Sequence, residues 1–326
     1  MPRYQKSWWN VPLLMQYKNL LAELRPDAAP TLVPLSAQDS SQPTRLALLP
    51  GSFNPLTTAH LDLAARAIAS GTCDAVWFTI SVRTVDKERV TGALLEDRLA
   101  VLHDVTHHHP ALGVAVTNRG LYVDQAMAAH MTLRAPATLL FIVGYDKIVQ
   151  IFDPRYYDNR DAALDLLFSK ARFLVAERDY ATEHDLSDLL ELQENRPYAQ
   201  YVTPLKQAAA GSLLAVSSTR VREQAAAGSI DECAAPPEVI AFINETGAYA
   251  PASASTSASA DRYLLRATLL DVIADTGDRL DSLDLRALTE RMAQNNVLRS
   301  LIVKGYLSGD ATESRRAVAR WLAAQQ

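Results

Sequence analysis

The sequence predicts an α/β fold: a doubly wound parallel sheet, preceded by a helix and followed by an all-helical appendage. Three observations predict it. Short apolar runs alternate with helically spaced segments across residues 44–250, the pattern of parallel strands joined by crossover helices. The first of these runs, Leu46-Ala47-Leu48-Leu49, passes through a Gly-containing turn into an Ala- and Leu-rich segment. A strand that ends in such a turn and opens a helix belongs to an open parallel sheet, whose ligands lie beyond the carboxyl ends of the strands. Outside residues 44–250 the apolar residues recur at helical spacing only.

Taken in order, residues 1–43 precede the sheet. Trp8, Trp9, Val11, Leu13, Leu14, Tyr17, Leu20, Leu21 and Leu24 recur at roughly helical spacing, which predicts one amphipathic helix packed on the main domain. Residues 27–43 are rich in Pro, Ser and Ala and read as an irregular connection. Within 44–250 the predicted strands are 45–49, 75–81, 113–117, 138–143, 172–176 and 198–202. The predicted helices are 58–70, 95–107, 122–133, 147–152 with 162–169, and 184–193. A further helix starts at Val216-Ser217-Ser218-Thr219-Arg220-Val221-Arg222, with Ser217 or Ser218 as its N-cap and Gly228 as its stop. Arg222 follows Ser218 by one turn, so both can face one anion. Residues 236–249 form the last helix of this domain, which ends near Gly247. Residues 251–260 contain only Pro, Ala, Ser and Thr and read as a flexible linker. Residues 261–326 return to helical patterning, with Gly277, Gly305 and Gly309 as punctuation.

Composition narrows the function classes. A chain of 326 residues has room for one large domain with additions. Its formal net charge of −5 argues against a dedicated nucleic-acid binder, so an anionic substrate must be met by a local positive site. The two cysteines, Cys73 and Cys233, make no Cys-x-x-Cys pair and no metal spacing, which fits a reducing, cytoplasmic location. No apolar run is long enough to span a membrane, and the N-terminal residues lack a signal-peptide core. His107-His108-His109 reads as a helix C-terminus rather than a chelate, because consecutive helical residues point in different directions. Nothing in the sequence fixes the oligomeric state, and a homo-oligomer remains open.

The turn after the first strand reads Gly51-Ser52-Phe53-Asn54-Pro55-Leu56-Thr57-Thr58-Ala59-His60. Backbone N–H groups and the positive end of a helix dipole meet there, which is an anion site in waiting. This stretch resembles the signature of the nucleotidyltransferase superfamily, Gly-x-Phe-x-Pro followed by His/Thr-x-Gly-His. It departs from the commoner form in having Thr57 at the first histidine and Ala59 at the glycine. The 216–222 segment resembles the superfamily's Ile-Ser-Ser-Thr-x-x-Arg element, in the right order and a domain's length away. Within the superfamily, the chain is most similar to nicotinamide/nicotinate mononucleotide adenylyltransferases, over residues 44–250.

The resemblance implies a Rossmann-like sheet and adenylyl transfer from ATP to a pyridine mononucleotide, with Mg²⁺ bound through the substrate phosphates. It implies that His60 donates to the α-phosphate, that the Thr57 hydroxyl can donate to a phosphate, and that Ser52 and Phe53 offer backbone N–H groups. Gly51 would let the substrate approach. Ser217, Ser218, Thr219 and Arg222 would bind the β- and γ-phosphates, with Arg178 near them. Gly144 and Asp146 would meet adenosine, and Lys87 a phosphate. Tyr156 or Tyr157 would stack on the pyridine ring. Arg98 is similar to an arginine of relatives and equally suits a structural ion pair. Two other readings stay open: the same chemistry on another phosphorylated acceptor such as a phosphopantetheine, and a non-catalytic nucleotide-binding regulator. Amide versus acid preference and the use of residues 261–326 are not legible.

Overall fold

The structure is a computed structural model. It describes residues 6–35, 43–82, 92–133, 138–176, 183–206, 216–250, 258–277 and 279–325. The strands are β1 (Leu32–Pro34), β2 (Arg45–Pro50), β3 (Ala75–Ser81), β4 (Leu112–Thr117), β5 (Thr138–Gly144), β6 (Arg172–Ala176) and β7 (Val202–Leu205). They form a seven-stranded sheet in the order β1-β4-β3-β2-β5-β6-β7. Every pair from β4 to β7 is parallel, and β1 alone joins antiparallel, against β4. The chain leaves β2, lays β3 and β4 on one side, then returns to place β5 on the other side of β2. The two directions of winding part between β2 and β5, and that switch point opens a crevice at the carboxyl ends of both strands.

The strands alternate their side chains between two cores, as a sheet covered on both faces must. Ala47 and Leu49 of β2, Val76, Phe78 and Ile80 of β3, and Leu140 and Ile142 of β5 face one core. Leu46 and Leu48, Ala75 and Trp77, and Leu139, Phe141 and Val143 face the other. The first face carries α1 (Val11–Glu23), α2 (Thr58–Ala69), α3 (Leu95–Thr106), α8 (Ser218–Ala226) and α9 (Pro237–Thr246). The second carries α4 (Tyr122–Thr132), α5 (Tyr145–Phe152), α6 (Arg160–Lys170) and α7 (Glu183–Glu191).

The C-terminal helices are α10 (Ala258–Thr276), α11 (Leu285–Ala293), α12 (Asn296–Ser308) and α13 (Thr312–Ala323). Leu265, Leu269, Ile273, Leu285, Met292, Ile302 and Val318 belong to the same buried cluster as Leu99 and Leu102 of α3. The core of the sheet's first face therefore continues into this layer. None of the described helices is long and apolar enough to cross a membrane.

Local structure departs from the sequence reading in four places. The N-terminal apolar pattern is cut at Asn10: Ser7–Trp9 is a 3-10 turn, and the Asn10 side chain caps α1 by accepting from the Leu13 N–H, with a proline in the first turn. The expected connection at 27–43 contains β1, whose Leu32 pairs with Thr117. The expected strand at 198–202 is mostly the 3-10 helix Arg196–Tyr201, which Pro197 starts, and β7 begins only at Val202. The helical patterning expected from residue 261 begins at Ala258, so it takes in the last residues of the expected linker.

Candidate active site

The loop after β2 is a buried plug rather than an open turn. The Gly51 N–H donates to the Thr79 carbonyl at 3.0 Å, tying the loop to β3. Phe53 has φ of 43°, a left-handed conformation that a bulky side chain adopts only when its surroundings impose it. Its ring lies edge-on to Phe78 and His60, with centroids 5.3 and 5.2 Å away. A Cβ at Gly51 would come within 2.8 Å of that ring. Gly51 is thus required by Phe53 itself, not only by the approach of a ligand.

Thr57 and His60 set up the start of α2. Thr57 is the N-cap and His60 the third helical residue, joined in a capping box. The Thr57 N–H donates to His60 Nδ1 at 3.1 Å, and the Thr57 hydroxyl lies 2.8 Å from the same nitrogen. An amide donor needs a lone pair at Nδ1, so the neutral ring carries its proton on Nε2. Thr57 is fully buried. The sequence reading gave its hydroxyl to a phosphate; the structure turns it inward, where it orients the imidazole. Residues further along fasten the same turn: Thr58 donates from its N–H to the Ala234 carbonyl at 3.1 Å and from its hydroxyl to the Cys233 carbonyl at 2.8 Å.

The second signature lands on the first. Ser217 is the N-cap of α8, its hydroxyl accepting from the Arg220 N–H. Ser218 Oγ donates to the Pro55 carbonyl at 2.8 Å. Arg222 Nη1 donates to the Asn54 carbonyl at 2.6 Å, and Nη2 to Thr219 Oγ1 at 3.1 Å. The N-terminal ends of α2 and α8 therefore meet around residues 54–58, and both present the positive end of a helix dipole there. Arg222 is half-buried, bonded to neutral oxygens, and none of the ion pairs among the described residues includes it. Its charge is oriented and, among the described residues, paired with no carboxylate.

Three further groups lie at this junction; the sequence reading singled out Arg98 and quoted Asn54 within the signature, without giving either this place. Asn54 is buried, and its Oδ1 accepts from the Ala93 N–H at 3.1 Å. Arg98 on α3 is buried, donating from Nε to the Ala93 carbonyl at 2.8 Å and from Nη1 to the Ser52 carbonyl at 3.4 Å. It braces the loop through backbone oxygens. Tyr249 has φ of 66°. Burial pushes its hydroxyl above the ordinary phenol range, and the nearby Arg98 and Arg222 cations oppose that rise. Asn54 stood inside a recognised motif, but Tyr249 lies beyond the end of a helix with no local pattern to mark it.

Across the crevice, Leu48 of β2 pairs with Phe141 of β5. Three residues on along each strand stand Gly51 and Gly144, so both expected glycines lie at the same end of neighbouring strands. Gly144 is the N-cap of α5, and Asp146 lies exposed in its first turn. Tyr157 donates its hydroxyl to the Ile151 carbonyl at 2.7 Å and packs against the second core, whereas Tyr156 is 63% exposed. Lys87 and Arg178 lie outside the described residues.

Comparisons with known proteins bear on the family to which the chain belongs. A sequence model of the cytidylyltransferase-like family matches residues 48–224, over half of the chain, and spans both signatures. A probable nicotinate-nucleotide adenylyltransferase of Trichlorobacter lovleyi is 27% identical over 220 residues, covering 64% of this chain and 100% of that protein. A putative nicotinamide mononucleotide adenylyltransferase of Schizosaccharomyces pombe is 27% identical over 182 residues, covering 54% of this chain and 70% of that protein. Among solved structures, the nicotinic acid mononucleotide adenylyltransferase of Plasmodium falciparum complexed with NaAD aligns with a TM-score of 0.47 and 17% identity, covering 63% of this chain and 97% of that one.

Proposed function

The chain belongs to the cytidylyltransferase-like family and is a nucleotidyltransferase, and from that premise we propose that it transfers the adenylyl group of ATP to nicotinate or nicotinamide mononucleotide. In this reaction a phosphate oxygen of the mononucleotide attacks the α-phosphorus of ATP. The new O–P bond forms as the bond to the β-phosphate oxygen breaks, and pyrophosphate leaves. The acceptor brings its own nucleophile, so no covalent enzyme intermediate is needed. Positioning and electrostatic stabilisation supply most of the acceleration.

The observation that carries the reading is the bonding of Ser218 and Arg222 to the Pro55 and Asn54 carbonyls, which brings the two signatures into one junction. On it, His60 donates from Nε2 to an α-phosphate oxygen as charge builds, with Thr57 holding Nδ1. Backbone N–H groups at Ser52 and Phe53 bind phosphate oxygens. Arg222, with Ser217, Ser218 and Thr219, binds the β- and γ-phosphates, joined by Arg178. Gly144 and Asp146 meet the adenosine, and Lys87 a phosphate. Tyr156, the exposed member of its pair, is available to stack on the pyridine ring, while Tyr157 supports the turn that carries it. Mg²⁺ is treated as part of the ATP substrate, carried on its phosphate oxygens. The names of the two relatives, one a nicotinate and one a nicotinamide enzyme, support the pyridine class of acceptor and leave both members to be tried.

The test is pyrophosphate release from ATP with nicotinate mononucleotide, nicotinamide mononucleotide and 4′-phosphopantetheine in parallel. The reading expects turnover with one or both pyridine nucleotides. Turnover with phosphopantetheine alone, or with none of the three, contradicts it. His60→Ala is expected to lower kcat at least about 100-fold while ATP binding is kept.

A further inference from the structure

Helix α3 begins without a cap of its own. Its N-cap residue is Leu94, which has no side-chain acceptor to offer the first turn. In a capping box the carboxylate at the third helical position would take the N-cap N–H. Asp97 occupies that position, but both of its oxygens are given to α10. Arg266 Nη2 donates to Asp97 Oδ1 at 2.7 Å and Nη1 to Oδ2 at 2.9 Å, with both side chains fully buried. The Leu94 N–H is taken instead by the Tyr263 hydroxyl at 2.6 Å, which in turn donates to Asp97 Oδ2 at 2.9 Å. Arg266 also donates to the Trp8 carbonyl, from Nε at 3.2 Å and Nη2 at 2.5 Å. Tyr263 and Arg266 lie outside residues 48–224, the span that matches the family.

The segment fastened in this way is the one that grips the signature loop. Ala93 precedes Leu94, donates its N–H to the Asn54 side chain and accepts from Arg98 at its carbonyl. Arg98 follows Asp97 and reaches the Ser52 carbonyl. Asn54 in turn offers its carbonyl to Arg222. At Gly92 a Cβ would meet the Asn54 side chain at 2.1 Å, so the two loops are in direct contact. We propose that Tyr263 and Arg266 of the C-terminal helical layer are positioning residues for the nucleotide site, fixing the start of α3 and, through Ala93 and Arg98, the loop at Ser52 and Asn54. The assignment rests on the adenylyl-transfer reading for its kinetic consequence and on the hydrogen-bond path alone for its structural one.

Tyr263→Phe removes only the hydroxyl. Arg299→Ala serves as control, because it breaks the ion pair between Asp261 of the same helix and Arg299 of α12 without touching the path. At a temperature where all variants are folded, Tyr263→Phe is expected to lower kcat about 10-fold or more, and to change the KM for ATP less than that, as a small misplacement at a phosphate loop should. Amide hydrogen exchange of residues 51–60 should rise in Tyr263→Phe and stay at the wild-type level in Arg299→Ala. Should Tyr263→Phe not fold, Arg266→Lys, which keeps the charge but loses the fork, takes its place with the same expectations. Kinetics within about 2-fold of wild type, a fall matched by Arg299→Ala, or faster exchange confined to α10 and α3 would overturn the proposal. If the wild type turns over none of the acceptors, the reading of the reaction fails, and the exchange measurement still decides the positioning role.

Discussion

Two arginines reach across almost the same length of chain and end in opposite ways. Arg222 crosses 168 residues to Asn54 and meets a backbone carbonyl; Arg266 crosses 169 residues to Asp97 and meets a carboxylate. Arg266 and Asp97 are both sealed from solvent, bonded bidentately, and cancel each other. Arg222 stays half-buried, held by oxygens that carry no net charge. A neutral acceptor aims a guanidinium without neutralising it, so the first junction keeps a positive charge for a polyphosphate. A buried carboxylate removes the charge and leaves an anchor. The same residue type therefore keeps its charge in one place, where the proposed function puts a ligand, and makes a structural joint in the other, and the partner decides which.

That contrast can be broken from either side. Arg266→Ala leaves Asp97 buried and unpaired, and is expected to remove about 3–5 kcal/mol of stability, measured by urea unfolding. Arg222→Ala should do the reverse: lower kcat about 100-fold and leave the urea midpoint close to wild type. If Arg222→Ala unfolds the protein as readily as Arg266→Ala, the distinction between site and anchor is gone.

A smaller effect sharpens the anchor side. Glu96 is Asp97's neighbour, and the arginine that answers Asp97 does not bond to it. Burial, reinforced by the Asp97 charge, raises its carboxyl above the usual range. The folded chain thus holds this proton to higher pH than the unfolded chain does. Its contribution to stability falls as pH rises from the unfolded carboxylate value of about 4.3 towards the folded one, and the penalty is complete above that. Glu96→Gln is expected to raise the melting temperature modestly at pH 7 and to leave it unchanged near pH 4. Equal melting temperatures at both pH values would show that Glu96 carries no such penalty.

What could be read in the sequence was local. The βα alternation, the strand ends at Gly51 and Gly144, and the helix starts at Thr58 and Ser218 follow from period and residue type, and they stand in the structure. At two positions of the motif the neighbours were not legible. Gly51 makes room for the Phe53 ring, and the Thr57 hydroxyl faces His60. β1 escaped because three residues between Pro30 and Leu35 are too few to show alternation. The Asp97–Arg266 pair and the Tyr263 relay escaped for a different reason. Buried partners so far apart leave no periodic trace, and the absence of a cap at Leu94 is the only hint that something else must supply one.

The account as a whole requires one polyphosphate to be held by both signatures while its α-phosphorus is attacked. ATP labelled at the α-phosphorus, incubated with the full-length protein, Mg²⁺ and a pyridine mononucleotide, tests this directly. The label should move into the dinucleotide product as unlabelled pyrophosphate appears, and the transfer should be lost in both His60→Ala and Arg222→Ala. Label that stays in ATP or is released as AMP, or transfer that persists in both variants, would contradict it.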